Sequence, residues 1–174
     1  MSEEKVILVD QDDNQIGIME KMAAHQDGGS LHRAFSVFLF NKENQLLLQR
    51  RALSKYHSGG LWTNTCCSHP RPGESILEAG TRRLKEELGI TCKLEEYFSF
   101  TYKANLDNEL TEYEFDHVLI GDFAGDMALN YDEVDSIKWL TLADIKKLMI
   151  ERPDDFTVWF KIAFDQVEQH QLIR

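Results

Sequence analysis

Residues 68–90 read SHPRPGESILEAGTRRLKEELGI, and this stretch decides how the rest of the chain is understood. Pro70, Pro72 and Gly73 interrupt regular structure at its start. From residue 75 the residues Ile76, Leu77, Ala79, Gly80, Leu84 and Leu88 recur at helical spacing, and Gly89 supplies a stop signal. The spacing predicts a helix over 75–88 with those residues on its apolar side. Arg82 and Glu86 then share one face, one turn apart, as do Arg83 and Glu87. Carboxylates paired on one helix face can hold Mg²⁺ against a diphosphate, because this hard cation takes oxygen ligands and keeps substrate phosphates among them. On an arbitrary helix the same spacing more often marks a solvated face with ion pairs, so the pattern acquires meaning from its surroundings.

Upstream, 4–10 and 15–19 read as strands around the turn Asp12-Asp13-Asn14, and 20–25 as a short helical turn. Strands are predicted at 32–40 and 46–50, joined by a polar turn at 41–45. The first is apolar on both faces, as expected of a central strand covered on both sides. Residues 56–73 are rich in Gly and Pro and read as a functional loop. Downstream, strands are expected at 94–103, 110–121 and 135–140, then a helix over 142–151 capped by Thr141. A final helix over 155–169 places Phe156, Trp159, Phe160, Ala163 and Val167 toward the core. The fold class read from this order is α+β, an α/β/α sandwich with a mixed sheet between helices, in one domain spanning 1–174.

The chain has 174 residues, 43% of them hydrophobic, which is enough for one core without disulfides. Three cysteines, two of them adjacent at Cys66 and Cys67, point to a reducing cytoplasm rather than a disulfide framework. No stretch approaches the roughly 18 apolar residues of a membrane span. The net charge of −11 argues against nucleic-acid or anionic-membrane partners. It also means that an anionic substrate needs a local cationic cluster, and Arg50-Arg51, Lys55 and Arg82-Arg83-Lys85 are bunched.

The spacing Ser68-x5-Glu74-x7-Arg82-Arg83-Leu84-Lys85-Glu86-Glu87-Leu88-Gly89-Ile90 resembles the Nudix box, with two departures. Ser68 stands where the hydrolases have Gly, and Arg83 where they have a Glu. The second swap removes a metal ligand and adds a fork suited to phosphate oxygens, which suits an enzyme that keeps a diphosphate intact. The run Trp62-Thr63-Asn64-Thr65-Cys66-Cys67-Ser68-His69-Pro70 adds a second signature. So do Glu20–His25, His32, the run Arg50–Lys55 and Glu112-Tyr113-Glu114-Phe115-Asp116. Together these resemble type I isopentenyl-diphosphate isomerases over about residues 5–165, a family with the Nudix fold but without Nudix hydrolysis.

The resemblance implies the site. His25, His32, His69, Glu112 and Glu114 match the ligands of one Zn²⁺ or Mn²⁺, and three imidazoles with two carboxylates can fill five positions around such an ion. Glu112 and Glu114 lie two apart on a predicted strand and so point the same way. Glu87 matches the residue that binds Mg²⁺ together with the substrate diphosphate. Lys21, Arg51, Lys55 and Arg83 match diphosphate-binding positions. Cys67 and Glu114 match the acid–base pair on opposite faces of the alkene, Tyr102 a tyrosine bonded to the acidic group, and Trp159 an aromatic wall for a carbocation. Cys66 and Cys92 read as packing residues, and Trp62 as structural or as part of the pocket wall. His57, His117 and His170 match no ligand.

The implied reaction converts isopentenyl diphosphate to dimethylallyl diphosphate in isoprenoid biosynthesis, by a monomer or at most a weak homodimer acting on a small diphosphate. The alternatives are a Nudix hydrolase of a diphosphate substrate and a non-catalytic, metal-stabilised binding module.

Overall fold

A computed structural model describes residues 4–55 and 57–173, with side chains up to residue 169; His170 therefore lies outside the described side chains. The central strand predicted from its two apolar faces is β3, His32–Phe40. Alternation along it feeds two cores. Phe35, Val37 and Leu39 face a cluster with Leu84, Leu88 and Leu119. Phe38 and Phe40 face a second cluster with Ile145, Phe160 and Phe164. Full burial of each such side chain contributes roughly 1.5–3 kcal/mol, so the sheet is stabilised from both sides.

The strands β1 (Lys5–Val9) and β2 (Gln15–Glu20) form the expected hairpin, followed by the short helix α1 (Lys21–Ala24). β4 (Gln45–Arg51) follows β3, β7 (Glu95–Asn105) pairs antiparallel with β8 (Thr111–Asp122), and β9 (Val134–Thr141) pairs with β4. β3 and β8 run parallel in continuous register, so the sheet is mixed as anticipated. The helix α2 (Ile76–Leu88) carries a capping box between Ser75 and Glu78 and ends at Gly89 in the left-handed region, φ 66°. α3 (Leu142–Glu151) is capped by Thr141 as predicted.

Three readings are corrected. Leu77 is 44% exposed rather than core-facing, because the inward face of α2 is set by Ala79, Gly80, Leu84 and Leu88. The last helix does not begin at 155. Pro153–Asp155 forms a 3₁₀ turn, Phe156 is extended and bridges to Trp62, and α4 runs Val158–Ile173. The loop 56–73 is also not wholly irregular. It contains β5 (Trp62–Thr63) and β6 (Cys66–Ser68), the latter paired antiparallel with Phe35–Val37.

That insertion follows from a splayed hairpin. β3 and β4 pair only at Phe40 and Leu46, next to their turn. The segment 62–68 enters the gap, and Thr65 bridges it by side chain: its hydroxyl accepts from Leu39 N at 3.0 Å and donates to Leu47 O at 2.7 Å. A buried backbone group must find a partner, and here a threonine takes the place of the missing ladder.

Candidate active site

The short strand β6 places Cys67 and its neighbours at the base of an open cleft. Lys21, Arg51, Lys55, Arg83 and Glu87 line it, as do Cys67, His69, Tyr102, Glu112, Glu114 and Trp159. Every residue assigned to acid–base chemistry or diphosphate binding thus faces one cavity. His25 and His32 lie directly behind it, fully buried.

The three imidazoles cluster with ring centroids 4.9–5.8 Å apart. His25 Nδ1 lies 2.8 Å from Lys21 O and His32 Nδ1 lies 2.8 Å from Ser30 O. A carbonyl only accepts, so each Nδ1 carries the proton and each Nε2 presents a lone pair to the cluster. Ligand atoms of His25, His32, His69 and Glu114 lie within 4.8 Å of one another. Among the described residues, His32 Nε2 and Glu112 Oε2 find no hydrogen-bond partner although buried, an arrangement that costs free energy unless a cation completes it. The donor set therefore fits a divalent ion of imidazole and carboxylate preference.

Glu112 and Glu114 project from alternate positions of β8, Glu114 into this group and Glu112 toward His25 and His57, with which it forms a second set of ligand atoms within 4.8 Å of one another. Burial pushes the Glu112 carboxyl up to about 8, with the Glu114 charge adding to the shift. Burial also opposes charge on Glu114, but the imidazoles of His32 and His69 beside it outweigh burial and hold that carboxyl well below the usual range. Glu114 Oε2 is 2.9 Å from His69 Nε2 and 3.3 Å from His32 Nε2. Its Oε1 accepts from the Tyr102 hydroxyl at 2.8 Å, a contact set by the cross-strand pairing of Tyr102 with Glu114.

Cys67 sits among polar partners. Its sulfur lies 2.9 Å from Asn64 Oδ1 and 3.6 Å from Ser36 Oγ, and it accepts from Trp159 Nε1 at 3.1 Å. Burial pushes the thiol strongly up, so it rests protonated. Cys66 is fully buried in the α2 core and Cys92 packs at its margin, as read. Trp62 packs against the opposite core rather than lining the cleft.

The cationic wall is built from separate elements: Lys21 from α1, Arg51 from β4, Lys55 from the loop after it and Arg83 from α2. Arg83 contacts Glu87 Oε2 at 2.6 Å and Glu133 Oε2 at 3.6 Å, and Lys55 pairs with Glu133 at 2.5 Å. The Arg51 guanidinium lies 5.2 Å from the centre of the Trp159 ring. Glu87 also accepts from Gln49 Nε2 at 2.9 Å.

Several cleft residues had no signal in the sequence. Gln49 and Glu133 reach it only through the pairing of β4 and its contacts near β9. His57, left without a role above, lines the cleft, with its ring edge-on to Trp159 at 5.7 Å. Its pKa is pulled down to about 3 by burial and by Arg51. Asp116, present in the Glu112–Asp116 run but given no role there, continues the two-residue alternation without lining the cleft; it accepts from Ser36 Oγ at 2.7 Å. His117 instead bridges Asp13 and Glu96, 2.9 and 2.8 Å away, outside the cleft.

The NUDIX domain family matches residues 30–160, so the chain is a Nudix-domain protein. Solved structures agree on the fold. DR0079 from Deinococcus radiodurans superposes with a TM-score of 0.67 at 24% identity, over 83% of this chain and 90% of that one. A MutT protein from Methanosarcina mazei Go1 gives 0.66 at 20%, over 81% and 95%. Sequence relatives narrow the class. Isopentenyl-diphosphate Delta-isomerase 1 of Aromatoleum aromaticum is 52% identical over 165 residues, covering 95% of this chain and 93% of the relative. The isopentenyl-diphosphate Delta-isomerase of Photobacterium profundum is also 52% identical, covering 91% of each. The chain belongs to the isopentenyl-diphosphate Delta-isomerase family and is an enzyme of that type.

Proposed function

We propose that the chain interconverts isopentenyl diphosphate and dimethylallyl diphosphate, with Cys67 and Glu114 as the proton-transferring pair. The observation that carries this reading is that both groups open onto one cleft whose wall holds Lys21, Arg51, Lys55 and Arg83. Four cations converge there to meet an incoming diphosphate, which would compete with Glu4 for Lys21, Glu133 for Lys55 and Glu87 for Arg83.

One member of the pair gives a proton to the terminal alkene carbon, leaving a tertiary cation. The other takes a proton from the carbon next to the diphosphate-bearing end, and the double bond moves without net change in composition. In the reverse direction the roles exchange. A thiol and a carboxyl are weak acids toward an alkene, so a dry, preorganised pocket must carry much of the barrier reduction. Trp159 stabilises the cation by roughly 0.5–2 kcal/mol through its π system when water is excluded. Its indole N–H holds the Cys67 sulfur, and the Tyr102 hydroxyl holds Glu114.

His25, His32, His69, Glu112 and Glu114 would hold one Zn²⁺ or Mn²⁺, which supplies positive charge that keeps the buried carboxylates ionised and oriented. Glu87, beside Arg83 and Gln49, would hold Mg²⁺ together with the diphosphate. The chain acts in this reading as one domain over 1–174, in the cytoplasm, as a monomer or weak homodimer, on a small molecule rather than nucleic acid or membrane. No helix among the described residues is long and apolar enough to cross a membrane. Hydrolysis of a diphosphate is the weaker reading, because Arg83 replaces a box carboxylate and Cys67 has no part in it.

Incubation with isopentenyl diphosphate in D₂O with Mg²⁺ and Mn²⁺ tests the proposal. Deuterium in dimethylallyl diphosphate, no phosphate release, and loss of turnover in Cys67→Ala and Glu114→Gln are expected. Phosphate release without isomer, or either variant at near-normal rate, would overturn it.

A further inference from the structure

Thr63, Asn64 and Thr157 are polar residues with 0–2% exposure, and the hydroxyl bonds among them run in one direction to Asn64 Oδ1, the oxygen to which the Cys67 thiol also donates. Asn64 sets the direction. Its Nδ2 donates to Val37 O and Cys66 O, both at 3.0 Å. Those carbonyls only accept, so the amide has a single orientation and its Oδ1 faces Thr63 and Cys67. Thr63 Oγ1 donates to that oxygen at 2.9 Å, as does the Cys67 thiol at 2.9 Å. With its proton committed, Thr63 Oγ1 accepts from Thr157 Oγ1 at 2.9 Å. Thr157 Oγ1 in turn accepts from Phe160 N, in the first turn of α4, at 3.4 Å. Trp159, on the same turn, donates to the Cys67 sulfur.

We propose that Thr157, Thr63 and Asn64 are positioning residues of the reaction. They form a one-way string of hydrogen bonds from the start of α4 that presents an acceptor oxygen to Cys67 and keeps its thiol in register with Trp159. The inference rests on Cys67 being a reacting group. A buried polar string costs desolvation that apolar residues of the same shape avoid, and this one ends on the oxygen that receives the Cys67 thiol. The diphosphate anchors Lys21, Arg51, Lys55 and Arg83 take no part in it, so its loss should slow the chemical step and spare substrate binding.

Thr63→Val keeps the side-chain shape and removes both bonds. It should lower kcat about tenfold with KM within about twofold, and Thr63→Ser should restore most of the rate. Thr157→Val should lower kcat about threefold, reversed by Thr157→Ser, and the double valine variant should be no slower than Thr63→Val alone. A kcat within about twofold of the parent in Thr63→Val, a change in KM instead of kcat, or effects that multiply in the double variant would overturn the string. Should Thr63→Val fail to fold, the Thr157 pair decides alone, since an unchanged kcat there also refutes it. Cys67→Ala separates the two claims: if it stays active, the assignment of the reacting thiol fails. If it is dead while Thr63→Val runs at full rate, only the string fails.

Discussion

Tyr102→Phe removes one atom from the site. The phenol is 6% exposed and its hydroxyl donates to Glu114 Oε1 at 2.8 Å. The ring stacks on Phe100 with centroids 5.7 Å apart, a contact phenylalanine keeps, so the variant should fold normally. A hydrogen bond to a charged group contributes about 1.5–3 kcal/mol, and the lost partner lies where bulk water does not readily replace it. If the bond orients Glu114 throughout the proton transfer, kcat falls about 10- to 150-fold. KM should stay within about twofold, because the cationic wall proposed to bind the diphosphate is untouched. Initial rates of isopentenyl diphosphate consumption across a substrate series measure both. A kcat within about twofold of the parent would refute the reasoning, since Glu114 would then be held adequately by His32 and His69 without Tyr102.

Gly80→Ala sets two effects against each other: helix propensity favours alanine by about 0.8–1 kcal/mol, but a Cβ would lie 2.6 Å from Leu119 Cδ1, itself fully buried. Overpacking of this kind costs about 1–3 kcal/mol, so net destabilisation of up to about 2 kcal/mol is expected in urea titration. The Glu74 carboxyl is held below its ordinary value near 4.5, chiefly by the hydrogen bond from Arg82. That stabilisation is fully present above pH 4.5 and is lost as pH falls through the lower folded-state value. Glu74→Gln should therefore melt below the parent at neutral pH and approach it in acid, as thermal scans across pH would reveal. His32→Ala removes a fully buried member of the His/Glu group proposed to hold a metal and should lower bound Zn²⁺ or Mn²⁺ measured by elemental analysis. Chelation should lower the melting temperature of the parent and leave that of the variant nearly unchanged.

How much was legible in the sequence depended on the range of the interactions involved. The helix over 75–88 appears as read, as do the shared faces of Arg82 with Glu86 and of Arg83 with Glu87, because capping and i,i+4 spacing are local. The alternation of Glu112 and Glu114 put both into one cavity for the same reason. The loop 56–73 could not be read residue by residue. Its strand β6 exists only because β3 and β4 part beyond Phe40 and Leu46, a separation no local pattern encodes. Lys21, Arg51 and Arg83 come from three distant elements, and only the family resemblance brought them together. Leu77 misled because its spacing fits an apolar stripe wider than the one the sheet covers.

The threonine crosslink at position 65 bears on how this enzyme fluctuates. Reactive segments usually ride on loops that open far more cheaply than the molecule unfolds. Here the peptide carrying the thiol is stitched into mid-sheet on both flanks. Its amide protons should therefore exchange with solvent far more slowly than those of an ordinary reactive loop, and the thiol keeps its place as the rim of the cleft fluctuates.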